Sequence, residues 1–290
     1  METKQIKIKT PAKVNLTLEV LDKREDGFHN IQSVMQMIDL YDYLVITIRE
    51  NDEQELSLSG TSDEIPYDET NLVYKAAQLF FYYLANCEDS YFEEQKHKVH
   101  IHIEKNIPIS AGLAGGSTNA AGTLLGLNRL FDDILPMDKL HELCKQLGSD
   151  LNVCLEGGCL FATGRGENVK KLPFRENKIS LIKPKNLGIS AKEAYTKYSE
   201  MENKPNYDMT HKLIDSLKIG TDLNQFLYND LETAIFNDYK ELQYIKSKYP
   251  KAVMSGSGST YFMLNNDFEE EDGFEVINDL KFIPYGVLEE

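Results

Sequence analysis

The chain has 290 residues, 41% hydrophobic and 27% charged, the composition of a globular protein with a core of ordinary size. Lys and Arg number 31 against 47 Asp and Glu, a formal net charge of −16, which excludes a broad basic surface for nucleic acid. Anionic ligands stay open, since they need only a local pocket of donors, and no apolar run approaches the ~18 residues of a membrane span.

Residues 1–10 alternate Lys with Ile and lack the apolar stretch of a signal peptide. Ile6 and Ile8, then Val14, Leu16, Leu18 and Val20, recur at every second position, which predicts strands. Leu44, Ile46 and Ile48 predict another. Val73, Ala76, Ala77, Phe80 and Leu84 fall at helical spacing, with Thr70 or Asn71 as the cap. Val99, Ile101 and Ile103 predict a strand whose other face carries His100 and His102, read as exposed residues. A second helix opens inside a glycine-rich segment and carries Ala121, Leu124, Leu125 and Leu130. A third carries Leu140, Leu143, Cys144 and Leu147, and Gly148 stops it. Cys159–Thr163 reads as a strand.

Glycines and charges between Gly164 and Lys178 mark a boundary, dividing the chain into residues 1–170 and 171–290. Ile179, Leu181 and Ile182 open the second part as a strand. Helices follow, the longest from about Leu231 to Lys248, ended by Pro250. Ala252–Met254 and Tyr261–Leu264 read as strands, and Glu269–Asp272 as a solvated loop. A short helix and a last strand, Ile283–Leu288, close the chain. Strands and helices mix without regular alternation, so the class is α+β. Cys87, Cys144, Cys154 and Cys159 show no zinc spacing and read as buried reduced thiols of a cytoplasmic protein, with a Cys154–Cys159 disulfide disfavoured.

Five segments carry chemistry. Pro108-Ile109-Ser110-Ala111-Gly112-Leu113-Ala114-Gly115-Gly116-Ser117-Thr118 follows a strand and opens a helix. Its glycines let backbone N–H groups and the helix dipole converge on one point, which makes a phosphate cradle. Ser117 and Thr118 add hydroxyl donors or reach a metal ion. The spacing is neither the P-loop nor the dinucleotide fingerprint. Lys13 and Asn15 lie two apart in a strand and share a face; alone, they read as solvent-facing. Asp150, after Leu147-Gly-Ser, is either a helix cap or a carboxylate beside the cradle. Ser255-Gly256-Ser257-Gly258 reads as a hairpin turn whose small residues let a ligand pass close. His29, in Asp26-Gly-Phe28-His, reads alone as structural.

Together these segments resemble the GHMP kinase family, over nearly the whole chain and with its three motifs in order: around Lys13, Pro108–Ala121 and Ala252–Phe262. The strings Asp26-Gly-Phe-His-Asn-Ile-Gln and Ala162-Thr-Gly-Arg-Gly-Glu resemble the branch that phosphorylates the 2-hydroxyl of a cytidine-diphosphate-linked methylerythritol, on the non-mevalonate route to isoprenoid precursors. The resemblance implies a domain like ribosomal protein S5 domain 2 followed by a ferredoxin-like domain, with ATP and Mg²⁺ and no protein partner. It implies that Asp150 takes the proton of the attacking hydroxyl while Lys13 pairs with it and steadies that hydroxyl. The cradle from Pro108 to Thr118 would hold the triphosphate, with Ser117 or Thr118 nearest the metal and Asn71 and Lys105 near the nucleotide. Asn15, Phe28, His29 and Ser255–Gly258 would meet the substrate, with Phe28 and His29 at the cytidine end. Three positions depart from the pattern: Phe28 stands for a common Tyr, Asn152 for a Pro and Ala191 for a Thr. The Asn152 change is expected to loosen the turn that aims Asp150. The alternatives are another kinase of the family, acting on a sugar, homoserine or mevalonate-type alcohol, and a non-catalytic nucleotide sensor.

Overall fold

The computed structural model describes residues 3–86, 96–202 and 204–290; Cys87 lies outside them. The chain runs β1 (Thr3–Lys23), β2 (His29–Asn51), β3 (Glu55–Gly60), α1 (Leu72–Ala85), β4 (Lys96–Glu104) and α2 (Gly115–Leu130). It continues through α3 (Met137–Leu147), α4 (Leu151–Glu156), β5 (Cys159–Gly164), β6 (Asn168–Lys171) and β7 (Lys178–Pro184). Then come α5 (Ala191–Glu200), α6 (Met209–Ile219), β8 (Tyr228–Asn229), α7 (Asp230–Ile235) and α8 (Lys240–Lys248). Four strands finish it: β9 (Val253–Met254), β10 (Tyr261–Leu264), β11 (Phe274–Lys281) and β12 (Leu288–Glu289).

The spine is the long antiparallel pair β1–β2. Its register shifts between Pro11 and Ala12, where proline cannot donate to the ladder and a bulge bends the ribbon. Before the bulge β1 pairs with residues 41–49, and after it with residues 29–38. The two halves of β2 then take different partners, β5 on Ile31–Gln36 and β4 on Tyr43–Asn51. The first sheet has eight strands, with the path β12-β1-β2-β4-β3 and with β5, β6 and β8 attached. The second is a four-stranded antiparallel sheet in the order β11-β7-β10-β9. The α+β class holds.

Alternation along β1 splits its side chains between two environments. Ala12, Val14 and Leu16 enter a core with Ile179, Leu181, Phe262 and Leu264 of the second sheet. Lys13 and Asn15 therefore face the other way, and both are buried. Helix α1 buries Val73, Ala76, Ala77, Phe80 and Leu84, the expected face, and Asn71 caps it by accepting from the Val73 N–H at 2.9 Å.

Three expectations fail at the C-terminal end. The helix expected from Leu231 to Lys248 breaks into α7, a 3₁₀ turn at Phe236–Asp238, and α8. Asn237 and Asp238 favour turns over helix interior, and Tyr239 is extended (φ −126°, ψ 113°), so its hydroxyl reaches Glu193. The expected short helix near the end is β11, whose Val276 and Ile277 pair with Ile182 and Leu181. Only Leu288–Glu289 of the last segment is strand, since Pro284 and Gly286 interrupt Ile283–Val287. Cys144, Cys154 and Cys159 are buried and free, and burial pushes the Cys144 and Cys159 thiols up to about 12.

Candidate active site

Lys13 projects from the cleft-facing side of β1 with its ammonium almost wholly enclosed. It donates to Asn15 Oδ1 at 2.6 Å and to the Gly112 carbonyl at 3.2 Å, and lies 3.5 Å from Asp150 Oδ2. Two of the three ammonium donors are thus hydrogen-bonded, and the Asp150 carboxylate adds an ion pair. Burial overturns the reading of Lys13 as solvent-facing. Asn15 is held in turn, donating through Nδ2 to Ser33 Oγ at 2.9 Å. Asp150 occupies the N-cap position of α4 but makes no side-chain cap bond, so its carboxylate faces Lys13 instead.

The glycine-rich loop curls through residues with positive φ: Ser110 (51°), Gly112 (72°) and Ala114 (59°), the last being the N-cap of α2. Asp42 anchors it from below. This buried carboxylate accepts from the N–H groups of Asn106 (2.6 Å) and Ile107 (2.7 Å), from Asn119 Nδ2 (2.9 Å) and from Lys105 Nζ (2.7 Å). Burial pushes the Lys105 pKa down, and Asp42 opposes that shift. Lys105 thus lies beside the loop with its charge committed to Asp42. Asp42 itself escaped the sequence reading, because one Asp in a strand pattern carries no signal.

Two cavities meet at this loop. One, about 390 Å³, is walled by Pro108–Gly116 with Asn71, Lys105 and Asn119. The other, about 800 Å³, contains Lys13, Asn15, Asp150 and Ser117 at one end and Phe28 and His29 at the other. Gly112 and Ala114 line both, so the loop is the partition between them. Thr118 is fully buried and lines neither, which leaves Ser117 as the exposed hydroxyl.

The Ser255–Gly258 turn packs against the partition. Ser255 Oγ donates to the Gly112 carbonyl at 3.0 Å and accepts from the Asn15 N–H at 3.2 Å. The Ser255 carbonyl approaches so closely that a Cβ on Gly112 would sit 2.0 Å from it. Gly256 and Ser257 line the large cavity, whereas Ser255 and Gly258 sit behind the lining.

At the far end His29 stacks on Tyr195 (centroids 5.4 Å apart, planes at 17°), with Ser199 Oγ 2.9 Å from Nε2. Burial above all, then Lys23 and Lys204, holds its pKa below the usual 6.5. Phe28 is half exposed, and the Arg165 guanidinium lies over its ring at 5.0 Å. Tyr195, Arg165, Lys23 and Lys192 join this lining without having been singled out as site residues; Ala191 presents a methyl group there. Asn152 does not loosen its turn: it is buried, donates through Nδ2 to the Glu167 carbonyl at 2.9 Å, and has Oδ1 3.0 Å from His141 Nδ1.

Residues 71–159 match the family model described as the GHMP kinases N terminal domain. The 4-diphosphocytidyl-2-C-methyl-D-erythritol kinase of Clostridioides difficile (strain 630) is 39% identical over 275 residues, covering 91% of this chain and 88% of that one. A crystal structure of 4-(cytidine 5′-diphospho)-2C-methyl-D-erythritol kinase superposes with a TM-score of 0.67 at 28% identity, over 90% of this chain and 89% of that chain. Homoserine kinase from Cytophaga hutchinsonii, 17% identical, shares the fold with a TM-score of 0.71 over 99% of this chain and 97% of that one. Motifs, fold and likeness along nine-tenths of its length agree: the chain belongs to the GHMP kinase family, among its 4-diphosphocytidyl-2-C-methyl-D-erythritol kinases.

Proposed function

We infer that the protein transfers the γ-phosphoryl group of ATP to the 2-hydroxyl of 4-diphosphocytidyl-2-C-methyl-D-erythritol, within isoprenoid precursor synthesis in the cytoplasm. The observation that carries this reading is the partition: one loop walls two cavities, and Lys13 and Asp150 stand on the side of the larger one. ATP occupies the smaller cavity with its phosphates on the backbone N–H groups of the loop and the N-terminus of α2. The substrate lies in the larger cavity, its cytidine by His29 and Phe28 and its polyol by Asn15 and Asp150. Residues 1–170 form the ATP-binding and catalytic part, and residues 171–290 the ferredoxin-like part that completes the cleft.

Phosphoryl transfer asks for in-line positioning and charge neutralisation rather than covalent chemistry. Asp150 accepts the proton of the attacking hydroxyl. Lys13, held by Asn15, Gly112 and Asp150, presents its charge where the phosphoryl group crosses. The oxygen donors at the wall, the Ser117 hydroxyl and the Asp150 carboxylate, suit Mg²⁺, which is usually shared between one or two protein oxygens and phosphate. When bound, the ion neutralises phosphate charge.

The test is ADP release from ATP and Mg²⁺ with the cytidine-linked substrate. Wild-type turnover should fall about 10²- to 10⁴-fold in Asp150→Asn with the substrate KM nearly unchanged. Turnover of homoserine or mevalonate in preference to the cytidine compound would overturn the substrate; near-wild-type rate in Asp150→Asn would overturn the base.

A further inference from the structure

The large cavity collects positive charge against the trend of the molecule. Lys13, Lys23, Arg165 and Lys192 line it against Asp150 and Glu200, in a chain of net charge −16. Such a cleft focuses its field on an anion. Lys13 is committed to Asp150 at the reacting end. Arg165 has its charge largely unspent: among the described residues its one ion pair is with Glu167, 3.8 Å from Nε. Its terminal guanidinium nitrogens donate no hydrogen bond among the described residues.

Two contacts orient it. The guanidinium carbon lies over the Phe28 ring, 5.0 Å from its centroid, a cation–π contact that takes up none of its N–H donors. The turn that carries it is fixed from behind, where Glu167 Oε2 accepts from the Arg165 backbone N–H at 2.6 Å and Asn152 donates to the Glu167 carbonyl at 2.9 Å. A planar fork held this way suits bidentate recognition of phosphate oxygens.

We propose that Arg165 is a specificity-determining residue that binds the diphosphate bridge of the substrate. The proposal rests on the cytidine-linked reading of the site, in which the bridge must pass between the base at His29 and the hydroxyl at Asp150. A cytidine compound without the bridge then loses this contact, so Arg165 selects for the linker rather than for the base.

The experiment is titration calorimetry of the wild-type protein, Arg165→Lys and Arg165→Gln with CDP and with cytidine as probes, alongside substrate and ATP KM. CDP should bind the wild type more tightly than cytidine. Arg165→Gln should weaken CDP about 10- to 100-fold while cytidine affinity and the ATP KM stay unchanged. Arg165→Lys should recover part of the loss, since it keeps the charge without the fork. Equal CDP and cytidine affinity in the wild type, an unchanged CDP-to-cytidine ratio in both variants, or equal weakening of both probes would overturn the proposal and leave the cytidine-linked reading standing. A wild type that binds neither probe and does not turn over the cytidine-linked substrate would overturn both. Thermal melts show that each variant is folded, and Arg165→Lys keeps the test open if Arg165→Gln is not.

Discussion

The Lys13 ammonium is buried, donates to Asn15 and Gly112, and pairs with the Asp150 carboxylate. A guanidinium offers a rigid planar fork in place of this compact charge, so an arginine cannot reproduce it. Lys13→Met should remain folded, because the apolar stem survives, yet lose about 10²- to 10³-fold in kcat, and Lys13→Arg should not restore it; steady-state kinetics on both variants checks this. His29 sets a pH dependence. Its folded pKa lies below 6.5, so between that lowered value and 6.5 the unfolded chain binds a proton that the folded protein does not. Stability therefore rises with pH in that window and falls on acidification. The melting temperature should drop as pH goes from about 7 to about 5, less steeply in His29→Gln, as followed by calorimetry. At this scale the sequence disclosed the residues whose local strings are unusual, such as Lys13, Asp150 and the loop glycines. It concealed those whose place arises only from contact: Asp42 meets Lys105 across 63 positions, and Ser199 meets His29 across 170.

Individual strands and helices were legible where one face is buried and the other is not. Alternation located β1, β4 and β7, and 3.6-residue spacing located α1 down to each buried side chain. The same reasoning overran at α7–α8, because apolar spacing continues through the break at Phe236–Asp238 while the chain changes direction. Between elements, the loop-to-turn lock at Gly112 is the contact most sensitive to one atom. Gly112→Ala places a Cβ 2.0 Å from the Ser255 carbonyl, at a φ of 72° that side chains avoid. Both loops are backbone there and neither can yield cheaply. The substitution should cost about 3 kcal/mol or more in urea unfolding and abolish turnover. Asp42 offers a second test between elements. Asp42→Asn leaves Lys105 buried without a carboxylate and should cost about 3–5 kcal/mol and raise the ATP KM, read by the same unfolding curves and by kinetics.

Across the whole molecule, the first sheet takes strands from both parts of the chain in a way that no local pattern announces. The first sheet draws β8 and β12 from the C-terminal part, on opposite halves of β1. Residues 282–290 run back over the first sheet. Ile283 donates to the Met37 carbonyl at 3.0 Å, Tyr285 and Tyr41 share a hydroxyl contact at 2.8 Å, and Val287 donates to the Cys154 carbonyl at 2.9 Å. Gly286 lies so close to Gly157, at the end of α4, that a Cβ on Gly157 would meet its nitrogen at 1.8 Å. Deleting residues 286–290 should lower the melting temperature and cut turnover together, because α4 carries Asp150 at its start; a melt and an assay on one preparation check this. That tail also bears on the order in which the fold closes. β12 pairs with Ile8 and Lys9 near the start of β1, so this ladder joins segments far apart in sequence and must meet its loop-closure entropy before its contacts reward it. The edge of the first sheet beside β1 is therefore among the slower contacts to close when the protein folds.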